Sequence, residues 1–230
     1  RRDRLRFDEQ AVQAGITAPF DLLPNGAVHG ALVLLRVDDA QTARDWLARC
    51  RVTNGGERGV AVARTLALTC PGLRRLGVHP QRLERLPREF IDGMEARAGT
   101  LGDLRGNHPQ AWRRPRRNWR GGAVAAAFGP SIELSSVHVL VQLRTADAAP
   151  TDGALLPGLV PHVAALEGAA TGMTVLAVQP MAQQPPRAGE RFGSGHFGYA
   201  DGFSQPTLSA PAMPPSYWSD QVKTGELFLG

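Results

Sequence analysis

Four strand-length apolar runs constrain this chain more than any other feature: Ala31 to Val37, Val60 to Thr69, Val137 to Leu143 and Met173 to Val178. Ala31-Leu32-Val33-Leu34-Leu35-Arg36-Val37 is nearly continuous in apolar side chains, the pattern of a strand covered on both faces. Asp38 and Asp39 follow as N-cap residues, and Ala43, Trp46, Leu47 and Cys50 then recur at helical spacing over residues 40 to 50. Asn54-Gly55-Gly56 turns the chain into the second run, which Pro71-Gly72 closes. Val137-His138-Val139-Leu140-Val141-Gln142-Leu143 alternates as a strand, residues 155 to 170 read as a helix after Pro157, and Met173 to Val178 completes the set.

Between the second and third runs the pattern changes. Leu73, Leu76 and Val78 make a short helical piece, and Leu86, Phe90, Ile91 and Met94 line one face of a longer one. Residues 103 to 130, rich in Arg, Gly, Pro and Trp, read as a long irregular excursion. The order β-α-β, helical insertion, β-α-β predicts an α+β fold: a ferredoxin-like β-α-β-β-α-β antiparallel sheet with helices on one face. The expected division is a ferredoxin-like domain over 1–180 with a helical insertion at 71–130, followed by a loop segment over 181–230.

Composition narrows the function classes. With 230 residues, 43% apolar and 20% charged, the chain can bury a substantial core, and no apolar run is long enough for a transmembrane helix. Cys50 and Cys70 lie outside any metal-ligand spacing and read as free thiols packed as small hydrophobes. The net charge of +5 rests almost wholly on arginine, Lys223 being the only lysine, as a GC-rich coding bias produces. The densest basic run, Arg113 to Arg120, contains Trp119 and could meet phosphates; without a nucleic-acid module around it, a solvated loop is the reading. No nucleic-acid or membrane partner is expected. The chain opens on Arg1 with no export signal in view, which gives a cytoplasmic expectation, and the final Gly225 to Gly230 reads as a strand just begun.

The most site-like stretch is Gly193-Ser194-Gly195-His196-Phe197-Gly198-Tyr199-Ala200-Asp201-Gly202-Phe203-Ser204-Gln205-Pro206. It sets one carboxylate between glycines and aromatic rings, where backbone can approach a flat ligand closely. On local residues alone, Asp201-Gly202 reads first as a surface turn, with glycine at a position needing positive φ. Of the six histidines, none forms a pair with metal-ligand spacing; His138 reads as a sheet residue, and only His196 lies near the signature.

Several passages together resemble the dye-decolourising peroxidases, haem enzymes built from two ferredoxin-like halves. Leu66-Ala67-Leu68-Thr69-Cys70-Pro71-Gly72-Leu73-Arg74-Arg75-Leu76-Gly77-Val78 resembles that family's early strand-to-helix passage. Phe90-Ile91-Asp92-Gly93-Met94, Arg97-Ala98 and Leu101-Gly102-Asp103 resemble the helix that follows, and His108-Pro109-Gln110-Ala111-Trp112 the next loop. His196 to Pro206 resembles the Gly-x-x-Asp-Gly signature with its flanks, although Ala200 stands where some members carry Arg.

The resemblance implies the first half of a two-domain, dimeric-α/β-barrel-like peroxidase. It implies haem b as cofactor, hydrogen peroxide as oxidant, and a dye or phenolic reducing substrate. It makes Asp201 the distal acid–base residue and places Gly198, Gly202, Phe203, Ser204 and Gln205 against the haem. The iron-ligating histidine and the distal arginine belong to the second half in that family, so the chain reads as an N-terminal stretch that is inactive by itself. Two other classes stay open: a non-catalytic ferredoxin-like binding or assembly module, and a basic nucleic-acid-binding module. A homo-oligomer is compatible with all three.

Overall fold

The computed structural model describes residues 8–17, 22–24, 29–109, 132–147 and 155–182, together with the backbone of two short ladders, 115–116 with 127–128 and 207–208 with 221–222. Its centre is one four-stranded sheet: β1 (His29–Val37), β2 (Val62–Leu68), β3 (Val139–Thr145) and β4 (Met173–Ala182), in spatial order β2-β3-β1-β4. Every neighbouring pair is antiparallel. This is the ferredoxin-like order that the β-α-β, β-α-β reading predicts.

Strand alternation sorts the side chains. Ala31, Val33, Leu35 and Val37 of β1 and Val139, Val141 and Leu143 of β3 are fully or almost fully buried on one face. Two crossover helices cover that face: α1 (Ala40–Arg49) through Ala43, Trp46 and Leu47, and α6 (Val160–Ala164) with the turn before it through Leu159 and Val163. At about 1.5–3 kcal/mol for each fully buried aliphatic side chain, this single layer of packing is the main source of the fold's stability.

The start of α1 is set by two contacts. Asp39 Oδ1 accepts the Thr42 N–H at 2.6 Å, capping the first turn. Behind it, the Gly172 carbonyl accepts the Asp38 and Asp39 N–H groups at 2.9 and 3.0 Å. Gly172 has φ +65, and a Cβ there would sit 2.7 Å from the Asp39 carbonyl oxygen, so only glycine lets the turn before β4 press on the head of α1.

Between β2 and β3 the chain runs through α2 (Cys70–Arg75), α3 (Pro80–Leu83), α4 (Arg88–Ala96) and α5 (Ala98–Leu101). The predicted longer helix is shorter at its start than expected, because Pro87 is its N-cap and leaves Leu86 outside. The predicted helix over 155–170 is also reduced, to a 3-10 turn at Pro157–Leu159 and the five residues of α6. Gly168 and Gly172, both at positive φ, turn the remainder back towards β4. On the open side of β2, the Gln13 amide pairs with Leu66 as a strand would, donating to its carbonyl at 2.9 Å and accepting its N–H at 2.7 Å.

Candidate functional site

The second face of the sheet is the one that the crossover helices leave free. By register its side chains lie in rows: Ala67, Leu140, Leu34 and Ala177; then Thr65, Gln142, Leu32 and Gln179; then Ala63, Arg144, Gly30 and Met181. The first row is apolar, the second is polar except for Leu32, and Thr65 donates its hydroxyl to Gln142 Oε1 at 3.3 Å.

Helix α4 stands over this face without closing on it. None of its residues is buried; Phe90 is 38% and Met94 52% exposed. Gly93, at φ +71 and ψ 177, interrupts the helical path in its middle. Between α4 and the sheet lies a cleft of about 830 Å³, with Leu32, Leu34 and Leu140 on its floor and Phe90, Ile91 and Met94 on its wall. The apolar stripe predicted for this helix therefore faces a cleft rather than a packed core. Glu89, Asp92, Arg74 and Arg97 stand around it. Arg88 Nε donates to Asp92 Oδ2 at 2.8 Å, and Arg97 lies 4.0 Å from Glu89, so part of this charge is balanced within the helical insertion.

At one end of the cleft, α2 is tied to β3. Thr69 Oγ1 donates to the Val137 carbonyl at 2.6 Å and accepts the Gly72 N–H at 3.0 Å, joining a helix cap to a strand. Cys70, buried at 2% exposure, lines the cleft beside it. His138, expected within the strand, lies one residue before β3 and bridges to the end of β1. Its Nδ1 accepts the Val37 N–H at 2.9 Å, which fixes a neutral ring with the hydrogen on Nε2. Burial first, then the Arg75 and Arg36 guanidinium groups, hold its pKa below the ordinary value of 6.5. Asp38 accepts from Arg36 Nε at 2.7 Å and from the Thr174 hydroxyl at 2.6 Å; these contacts outweigh burial and lower its carboxyl pKa.

The six residues predicted for the site, Asp201, Gly198, Gly202, Phe203, Ser204 and Gln205, lie outside the described residues. What is described is where their segment departs: β4 ends at Ala182, paired with His29, at the same end of the sheet as Arg144. Sequence reasoning passed over Arg144, whose Nε and Nη2 are buried without a hydrogen-bond acceptor among the described residues. Burial pulls its pKa down from the ordinary guanidinium value.

A haem would ask for apolar walls and an axial donor to its iron. The cleft has the walls, but no imidazole lines it, and no cluster of three or more metal-ligating side chains occurs among the described residues. The described residues thus fit the apolar part of such a group and not its iron.

These features define an α+β, ferredoxin-like unit with one face packed and the other bearing an apolar cleft. Dye-decolourising peroxidases are among the solved structures similar to this chain. One, in complex with 2,6-dimethoxyphenol, matches 96% of this chain over 44% of its own, with a TM-score of 0.61 and 18% identity. A decolorizing peroxidase from Auricularia auricula-judae matches 93% of the chain over 41% of its own, at TM-score 0.61 and 18% identity. A third, engineered in its heme pocket for asymmetric sulfoxidation, matches 93% over 41% at TM-score 0.61 and 19% identity. The chain spans less than half the length of each of these proteins. No family model matches the chain, and no curated protein matches it.

Proposed function

We propose that this chain is part of a haem-dependent peroxidase that oxidises dyes or phenolic compounds with hydrogen peroxide, and that Asp201 is its acid–base residue. Residues 1–180 are the scaffold and 181–230 carry the catalytic stretch. The observation that supports this most is a coincidence of two independent signals: 96% of the chain shares its fold with a dye-decolourising peroxidase, and the Gly198 to Gly202 signature with its flanks follows the last strand of that fold. The phenolic ligand and the heme pocket belong to the neighbours and support the substrate and cofactor classes by analogy.

Haem, when bound, supplies a redox-active iron, and its ligating histidine is assigned to the remaining length that the neighbours have and this chain does not share. The part of this chain is proton management. As a carboxylate, Asp201 would take a proton from one oxygen of hydrogen peroxide and return it to the other, which leaves as water as the O–O bond breaks; the remaining oxygen and its two oxidising equivalents would be taken up by the haem and passed to the reducing substrate. Gly198 and Gly202 keep side-chain bulk away from the macrocycle, and Phe203, Ser204 and Gln205 line its edge. A protonated Asp201 accepts nothing, so activity falls as pH drops through its pKa. The test is Asp201→Asn in the haem-loaded protein expressed from its complete coding sequence. We expect the rate of reaction with peroxide to fall by about 10²–10⁴, with haem content unchanged. An unchanged rate removes Asp201 from the mechanism.

A further inference from the structure

We propose that Arg144 is a carboxylate-binding subsite on the open face of the sheet. Nε–H and Nη2–H form the side-on fork of a guanidinium, the edge that takes both oxygens of one carboxylate in parallel hydrogen bonds. In Arg144 these are the two buried nitrogens that have no acceptor among the described residues. Arg144 is half-buried as a whole, but these two donors are shut off from water, and a buried donor without an acceptor is disfavoured, which marks the fork as built for one.

The surroundings explain why the sheet cannot supply that acceptor. The register flanks Arg144 with Gly30 on β1 and Ala63 on β2, neither of which has a polar side chain. Position 30 cannot carry a side chain at all, since a Cβ there would lie 2.0 Å from the Leu143 carbonyl oxygen. Along β3, the next residue on the same face is Gln142, whose Oε1 already accepts from Thr65. On the sheet the fork is thus bordered by small residues and an engaged amide, and the Ala14, Leu22 and Leu23 side chains that pack on Ala63 carry no acceptor. Arg36, further along the same face, is paired with Asp38, and no acid among the described residues pairs with Arg144. A carboxylate matches the guanidinium charge and the planar fork, whereas a phosphate dianion brings a second charge that nothing there balances.

The carboxylate is that of a bound small molecule, and one experiment tests it. The probe is sodium propionate, titrated into the nitrogen-15-labelled chain while the Arg144 Nε–H and the amides of Gly30 and Ala63 are followed by NMR. A saturable propionate shift, absent with sodium chloride at equal ionic strength and weakened about tenfold or more in Arg144→Lys, establishes a site for an external carboxylate. An Nε–H that exchanges slowly with water before any addition and ignores propionate shows a fork closed to external carboxylates and overturns the proposal. An Nε–H that exchanges as fast as a free guanidinium and shows no saturable shift, or shifts equally with chloride, overturns the proposal.

Discussion

Gly72→Ala should be strongly destabilising although alanine is the better helix former. Gly72 lies in the first turn of α2, where the exchange alone would favour the helix by about 1 kcal/mol. The structure opposes it. A Cβ on Gly72 would meet the backbone of His138, at 2.1 Å from the carbonyl oxygen, 2.8 Å from the carbonyl carbon and 2.9 Å from Cα. No rotamer relieves a contact with backbone, so α2 and β3 must separate by about 1 Å, an overpacking cost of about 1–3 kcal/mol. That separation also strains the bonds joining the two elements, Thr69 N–H to the His138 carbonyl at 3.1 Å and Thr69 Oγ1 to the Val137 carbonyl at 2.6 Å. Each contributes about 1 kcal/mol net. The balance is a loss of roughly 2 kcal/mol or more, which lowers the urea midpoint by about 1 M for a slope of about 2 kcal/mol/M. Gly99→Ala in α5 is the control: nothing lies within 4 Å of its Cβ position, so it should stabilise by about 0.4–1 kcal/mol. Urea unfolding of both variants, followed by tryptophan fluorescence, decides the matter. Equal midpoints for wild type and Gly72→Ala would refute the claim that α2 rests directly on the β3 backbone.

Two further outcomes follow from groups whose ionisation the fold shifts. His138 has a pKa lowered by burial and by Arg75 and Arg36, with Asp38 the only acid facing it from the adjoining strands among the described residues. The unfolded chain therefore takes up this proton more readily, so the stability linked to neutral His138 is complete above about pH 6.5 and is lost as pH falls from there towards the folded-state pKa. Thermal unfolding from about pH 7.5 down to about pH 5.5 should show a decline that His138→Asn, which keeps an acceptor for the Val37 N–H, reduces; an identical slope in both proteins contradicts this. Cys50 is half-buried, its thiol pushed up first by burial against an opposing effect of Arg64, while Cys70 is buried. A thiol-specific reagent should thus modify Cys50 slowly and Cys70 only on unfolding, and equal native rates at the two positions count against the packing described.

The four strands were legible because their apolar runs are bounded by turn residues and their alternation survives into the sheet. The cap at Asp39 was legible for the same local reason: its carboxylate needs only the next turn of chain. β4 extends to Ala182 through Pro180, beyond the predicted Val178; this is an edge strand, where a missing N–H is tolerated. The α4 stripe of Phe90, Ile91 and Met94 was visible as periodicity, but periodicity cannot distinguish a helix packed on a core from one standing across a cleft. Arg144 was hidden for a different reason. Its strand position was plain, yet its lack of an acceptor among the described residues depends on Gly30 and Ala63 being its neighbours, and that is fixed by register between strands far apart in sequence. The Asp201 stretch stands on sequence resemblance, with the shared fold as independent support for the scaffold that precedes it.

The central claim is tested most directly by adding haemin to the protein expressed from its complete coding sequence and recording its absorption and its hydrogen peroxide-dependent oxidation of 2,6-dimethoxyphenol. The peroxidase reading predicts a saturable Soret band at one haem per chain and oxidation that requires both haem and peroxide. A protein that folds, yet shows no Soret band at any haemin concentration, contradicts it and makes the non-catalytic ferredoxin-like module the leading account.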